Sequence, residues 1–292
     1  MRDDVMAKEG KKSKDKKKKR GETMARQADR HVLYEKSVQD PESEIEVLTE
    51  KFRELKGRDP MSLREDFCGT ALLSVNWCKT GPSRTAIGVD LCEETLAWAK
   101  QNNVQPAGKE VSERVTLIHG NVLDTDAPAV DITCAFNFSY NCFNTRSELL
   151  QYFCAAHRSL NDQGVLVLDV YGGTEAMSEV EEERDVEGED FTYVWEQEKF
   201  NPITHDTVCH IHFHFPDGTK IKNAFTYEWR LWTLPELREL LTEAGFTRLH
   251  IYWEEFVDSD EDDEYLESTG RYVEVTEVEN QESWISYIFA ER

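Results

Sequence analysis

Long apolar runs are missing from this 292-residue chain. No stretch approaches the 18 or so residues that a membrane span needs, so no membrane partner is expected. The N-terminus carries lysines where a secretory signal would need an apolar segment. Clustered cysteines are missing too. The seven present (Cys68, Cys78, Cys92, Cys134, Cys142, Cys154, Cys209) are odd in number, dispersed and without a CxxC pair, which argues against a disulfide framework or zinc cluster and for a reducing, cytoplasmic setting. Positive charge is scarce: 34 Lys and Arg face 58 Asp and Glu, a net charge of -24. The first 20 residues hold ten basic and four acidic side chains, so the rest of the chain is more acidic still. Such a body repels phosphates, and nucleic acid is not an expected partner. What the chain does have is 39% hydrophobic and 11% aromatic residues, enough for a sizeable core.

Residues 1–30 offer little to bury and read as a disordered basic tail. Its lysine run at 11–20 (KKSKDKKKKR) reads as a solvated leader, with a nuclear address or an electrostatic tether as the alternatives. Beyond it, apolar residues at helical spacing over 45–55 predict a helix closed by Gly57. Strands and helices then alternate: strands at 63–67, 85–90, 115–119, 131–138 and 164–171, and helices at 71–79, 93–101 and 146–160. That rhythm implies an α/β fold with a doubly wound, mostly parallel sheet. The rhythm breaks at 174–232, where runs at 191–200, 207–215 and 220–232 predict an antiparallel β insertion before the last helix. Thr233 and Glu236 have capping-box spacing, and Gly245 ends that helix. Strands at 248–253 and 284–290 complete a seven-stranded sheet, and the acidic runs at 179–190 and 254–267 read as solvated loops.

The first strand runs into Cys68-Gly69-Thr70 and a helix, so Gly69 admits a ligand to the backbone at a helix N-terminus. Asp90 ends the second strand about twenty residues later, where a carboxylate can accept both ribose hydroxyls. Asn121, after the third strand, carries an amide able to reach an adenine amino group. A nicotinamide dinucleotide normally requires several glycines, and this loop offers one. Glu65 and Asp66 would also repel a phosphate, whereas they suit a cofactor bearing a cationic amino group.

From Tyr34 to Arg292 the sequence resembles the Rossmann-like (class I) S-adenosylmethionine-dependent methyltransferases. The wording LREDFCGTA at 63–71, NFSY at 137–140 and WRLWTLPEL at 229–237 resembles a largely uncharacterised subfamily. The resemblance implies S-adenosyl-L-methionine as cofactor. It places Glu65 at the acid of the first loop, Phe67 and Ala71 at the first and third glycines, and Gly69 at the middle one. It also implies that Tyr34, Cys68, Asp90, Asn121, Val122 and Asn137 contact the cofactor, and that 137–140 faces the methyl group.

The insertion carries His210, His212 and His214 on one strand face. Same-face neighbours lie about 7 Å apart along a strand, awkward for one ion, so no metal is assigned. Tyr140 and His212 are the candidate catalytic bases, and Ser139, Tyr171 and Trp232 the candidate substrate contacts. Aromatic residues such as Tyr227, Trp229 and Trp232 are usually core, yet their faces also stabilise an ammonium. The acidic body points to a small, cationic acceptor, an amine, as substrate. A protein methyltransferase and a non-catalytic cofactor-binding module are the alternatives.

Overall fold

The computed structural model describes residues 23–258 and 266–292. The lysine run at 11–20 and the middle of the acidic loop at 254–267 lie outside the described residues. The chain begins with α1 (Met24–Gln27), α2 (Arg30–Val38) and α3 (Pro41–Lys56), followed by β1 (Ser62–Asp66), α4 (Leu72–Lys79), β2 (Thr85–Asp90) and α5 (Glu93–Ala99). Next come α6 (Lys109–Ser112), β3 (Val115–His119), β4 (Val130–Ala135), α7 (Arg146–Arg158) and β5 (Leu160–Gly172). Four strands follow: β6 (Val180–Asp185), β7 (Thr192–Phe200), β8 (Asp206–His214) and β9 (Lys220–Arg230). The last elements are α8 (Leu234–Ala244), β10 (Arg248–Asp258), β11 (Leu266–Glu274) and β12 (Trp284–Glu291).

The large sheet has the order β11-β10-β12-β5-β4-β1-β2-β3. Strands β1 to β5 pair in parallel, and β12, β10 and β11 pair antiparallel at the far side. In β5, Val165 to Val170 are buried apart from slight exposure of Asp169, because helices cover both faces. Leu166, Leu168 and Val170 face α7 and α8, while Val165 and Val167 face α3 and α4. Helix α3 follows its sequence closely. Asp40 caps it by accepting the Ser43 N–H at 3.2 Å, Gly57 closes it at φ 69°, and Leu48 and Phe52 bury completely. Burying each of those two side chains contributes about 1.5–3 kcal/mol. The capping box of Thr233 and Glu236 and the left-handed Gly245 bound α8 as expected.

Three expectations need correction. The sheet has eight strands and not seven, because β10 runs on to Asp258 and pairs with β11. An outer strand has no buried second face, so its residues lack the apolar alternation that signals a strand. The acidic run at 179–190 likewise contains a strand, β6, whose Glu182 pairs with Trp195 at the edge of the second sheet. Thirdly, the end of the expected tail is ordered. Helix α1 packs Met24 and Ala25 against β8 and β9, and the backbone N–H of Met24 donates to Asp217 at 2.9 Å. Three small apolar residues, Met24, Ala25 and Ala28, suffice once a complementary face is present.

The second sheet, in the order β6-β7-β8-β9, is antiparallel throughout. It packs Phe191, Ile211 and Phe213 against Leu33, Tyr34 and Val38 of α2. Helix α2 is thus held between this sheet and the C-terminal edge of the large one. No helix among the described residues is long and apolar enough to cross a membrane.

Candidate active site

The strand order reverses between β1 and its neighbours β2 and β4, which opens a crevice beyond the carboxyl ends of these strands. The loop after β1 crosses it. Phe67, Gly69 and Ala71 have φ of 58°, 50° and 55°, so alternate residues take the left-handed conformation, two of them without being glycine. Left-handed backbone costs a residue with Cβ about 1–2 kcal/mol, and the surrounding bonds hold it. The Cys68 N–H donates to the Val89 carbonyl at 3.0 Å, and the Gly69 N–H donates to the Asp90 carboxylate at 2.8 Å. Gly88 lets Cys68 approach β2: a Cβ there would lie 2.8 Å from the Cys68 Sγ.

Asp90 thereby joins two loops, since its other oxygen accepts the Cys92 N–H at 2.8 Å. Each carboxylate oxygen keeps a second lone pair for a ligand hydroxyl. The cavity in front of it, about 370 Å³, is lined by Cys68, Gly69, Thr70, Asp90, Asn137 and Ser139 from the large sheet's loops. Its roof is α2, which contributes Arg30, His31 and Tyr34 and is tied to α5 through the Trp98 indole N–H donating to Asp29 at 2.7 Å.

A second cavity, about 250 Å³, lies between the β5 end and the second sheet. Tyr34, Asn137, Tyr227 and Trp229 line both cavities, so the two spaces share a wall. The second is otherwise lined by aromatic rings of Phe138, Tyr171, Tyr193 and Trp195, with Gln197 and the carboxylates of Glu175 and Glu182. Its lining includes no Lys, Arg or His. Burial raises the Tyr171 and Tyr227 hydroxyls well above the ordinary phenol range, so both stay protonated at neutral pH.

The expected site residues divide. Tyr34, Cys68, Gly69, Asp90, Asn137 and Ser139 line the first cavity, and Tyr171 the second. Glu65 lines neither. It lies beneath the loop, accepting the Ser74 N–H at 3.0 Å and its hydroxyl at 2.5 Å, and burial pushes its carboxyl up to about 7. Asp66 is equally internal, paired with Arg64 at 2.7 Å. Asn121 and Val122 also line neither cavity: the Asn121 amide oxygen accepts the Leu123 N–H at 3.0 Å, and Val122 is core. Tyr140 cannot act as a base, because it is 1% exposed and its hydroxyl donates to the Asp169 carbonyl at 2.8 Å. Trp232 is core as well, packed under the Arg230 guanidinium with its indole N–H donating to the Phe143 carbonyl at 3.0 Å. Trp229, on the alternate face of the same segment, takes the position at the cavities.

His212 faces away from both cavities, because Tyr193, Trp195 and Ile211 present the opposite face of the second sheet. Its Nε2 lies 2.8 Å from the Glu196 carboxylate, and the ligand atoms of Glu181, Glu196 and His212 fall within 4.8 Å of one another. A metal is nevertheless disfavoured there. The Asn223 backbone N–H donates to His212 Nδ1 at 2.8 Å, which fixes the proton on Nε2 and leaves that nitrogen no lone pair for an ion. His210 is likewise hydrogen-bonded to Glu198 at 2.7 Å, and His214 Nδ1 lies 3.3 Å from the Glu183 carboxylate, so each histidine of this face is paired with a glutamate.

Sequence reasoning missed Thr95, Phe225 and the roof residues Arg30 and His31. Only Phe225, in phase with Tyr227 and Trp229 along β9, carried a periodic signal.

Comparison with known proteins finds methyltransferases by sequence and by fold. A family profile described as "Methyltransferase domain" matches residues 66–168. A relative in Bacillus subtilis (strain 168), provisionally named methyltransferase YqeM, is 28% identical over 199 residues, spanning 66% of this chain and 76% of its own. Among solved structures, an S-adenosylmethionine-dependent methyltransferase from Clostridium acetobutylicum ATCC 824 superposes with a TM-score of 0.64 at 17% identity, covering 89% of this chain and 96% of that one. CalS10 from Micromonospora echinaspora, an amino pentose methyltransferase solved with its cofactor bound, gives 0.60 at 16% identity over 89% and 95% of the two chains. The sugar N-methyltransferase KedS8 from Streptoalloteichus sp ATCC 53650 gives 0.60 at 18% identity over 91% and 93%.

Proposed function

We propose that the chain is a Rossmann-like S-adenosylmethionine-dependent methyltransferase and that it methylates a small-molecule amine held in the cavity between β5 and the second sheet. The observation that carries this reading is the shared wall of Tyr34, Asn137, Tyr227 and Trp229 between two cavities of different chemistry. The first has a carboxylate with free lone pairs, Asp90, and an open backbone at Gly69. S-adenosyl-L-methionine fits there, with Asp90 on the ribose hydroxyls and Asn137 toward the reacting end. When bound, this cofactor supplies an electrophilic methyl group on a sulfonium.

The chain's own part is to orient and to exclude water. Aromatic faces attract a cation, by about 0.5–2 kcal/mol each, and Glu175 and Glu182 at the cavity's exposed rim draw one in. The nucleophile must lose its proton before transfer, because an ammonium has no lone pair. With the phenols held protonated, that proton leaves to Glu175, Glu182 or solvent at the rim, and positioning supplies the rate. Two proteins that share the fold, an amino pentose methyltransferase and a sugar N-methyltransferase, are in keeping with an amine acceptor.

The test is to incubate the protein with methyl-labelled cofactor and a cell extract, then separate macromolecules from small molecules. Label in the small cationic fraction is expected. Label confined to protein would replace this reading with a protein methyltransferase. Cofactor binding with no transfer to any fraction would leave a binding module.

A further inference from the structure

We propose that the acceptor cavity carries one nitrogen through successive methyl transfers and that its last acceptor is a tertiary amine, released as a quaternary ammonium. The inference rests on the amine reading above. The residues that the second sheet gives to this cavity all belong to one of its faces. Tyr193, Trp195 and Gln197 alternate along β7, Glu182 and Ile211 stand opposite Trp195 in the register, and Tyr227 and Trp229 alternate along β9. It is therefore their side chains that meet the cavity. The Tyr227 and Trp229 rings stack at 4.4 Å, and the Trp195 ring lies 6.2 Å from each, so three rings make a continuous wall. From the large sheet, Phe138 and Tyr171 add a second pair of rings 4.7 Å apart. The space is small, about 250 Å³, which suits a compact acceptor.

Charge and aromatic surface are separated within it. The carboxylates of Glu175 and Glu182 belong to exposed residues at the rim, whereas the interior offers neutral amides, protonated hydroxyls and rings. A primary ammonium brought inside gives up the water around three N–H groups and meets no ionised acceptor for them. Each methyl group replaces one N–H by apolar surface and spreads the charge over carbon. An aromatic face holds such a cation without any hydrogen-bond acceptor. Affinity therefore rises with every round, so the product of one transfer is the better acceptor for the next. In the last transfer the nitrogen lone pair forms the new bond to the methyl carbon as the bond from methyl to sulfur breaks and leaves its electron pair on sulfur. No proton is released in that step. In the earlier rounds each product ammonium gives one proton to the rim carboxylates or to solvent before the next transfer.

The experiment gives the full chain ethanolamine and propylamine, each in unmethylated, monomethylated and dimethylated form, and follows the products by mass spectrometry. We expect kcat/KM to rise about tenfold from the primary to the tertiary member, with the quaternary product accumulating. Calorimetry without cofactor compares choline with its neutral analogue, in which carbon replaces nitrogen. Choline should bind about tenfold more tightly. Trp195→Leu should narrow that gap and Trp195→Phe keep most of it, both with cofactor affinity as in wild type. The wild-type comparisons decide the matter even where Trp195→Leu fails to fold. Transfer that stops at the secondary or tertiary amine, a tertiary member no better than the primary one, or equal binding of choline and its neutral analogue would overturn the inference and leave the amine reading standing. Absence of turnover on every amine, with cofactor bound, would remove the amine reading and this inference together.

Discussion

The Asp169 carboxylate accepts the backbone N–H of Asn137 at 2.7 Å, and its second oxygen accepts that of Phe138 at 3.0 Å. Asn137 and Phe138 are both left-handed, with φ of 53° and 56°, and both line the acceptor cavity. A residue of β5 thus holds the strained turn after β4 that lines the two cavities. We expect Asp169→Asn to lose one of these bonds and to set an amide donor against an N–H donor. Cofactor affinity and turnover should each fall about tenfold, from roughly 1–2 kcal/mol of lost hydrogen bonding. Calorimetry and a turnover assay check this, and unchanged values in both would refute the role given to Asp169.

Asp169 and Glu65 also predict a pH dependence of stability. Burial raises both carboxyls to about 7, from ordinary values near 4, despite the N–H groups they accept. Between about pH 4 and 7 the folded state holds protons on these groups that the unfolded state has released, so their contribution to stability is fully present at the acid end and lost as pH rises toward 7. Denaturant titrations across this window should show Glu65→Gln with a flatter slope than wild type. A parallel pair of curves would contradict the raised carboxyl.

Asp90→Ala should weaken cofactor binding by more than tenfold, because two charge-assisted hydrogen bonds are lost. It should also lower the melting temperature by a few degrees, since the N–H groups of Gly69 and Cys92 lose their acceptor. An unchanged dissociation constant would remove Asp90 from the site.

Two tryptophans on the insertion side should behave oppositely. Trp232→Ala removes a side chain 2% exposed and should cost about 3–5 kcal/mol of stability. Trp195→Ala, which lines only the acceptor cavity, should raise the acceptor KM while the cofactor dissociation constant stays put. Loss of cofactor binding by Trp195→Ala would merge the two cavities into one function.

His212→Ala should destabilise the second sheet by about 1–2 kcal/mol, as Glu196 and the Asn223 N–H lose their partner. Turnover should stay within twofold of wild type. Treatment with a chelator should shift neither melting temperature nor activity, and a drop in either would restore the metal that the His212 tautomer argues against.

Local sequence decided the elements whose signals are local. The apolar run of 165–170 identifies a strand covered on both faces, Thr233, Glu236 and Gly245 bound a helix, and Gly69 with Asp90 marks the crevice. Periodicity, capping and turn chemistry act within a few residues, so they can be read without the fold. The positions of Glu65, Tyr140 and Trp232 could not be, because a residue's role depends on what its face meets. Trp229 and Trp232 stand three residues apart, and the second sheet turns the first to the cavities while α7 and α8 enclose the other. Phe67 and Ala71 keep left-handed turns without glycine, since the strain is offset by bonds to β2 that are twenty residues away in sequence. The outer strands β6 and β11 and the helix α1 were hidden for the same reason. Their stability comes from a partner face supplied elsewhere in the chain, and a tertiary contact leaves no mark on the residues around it in sequence.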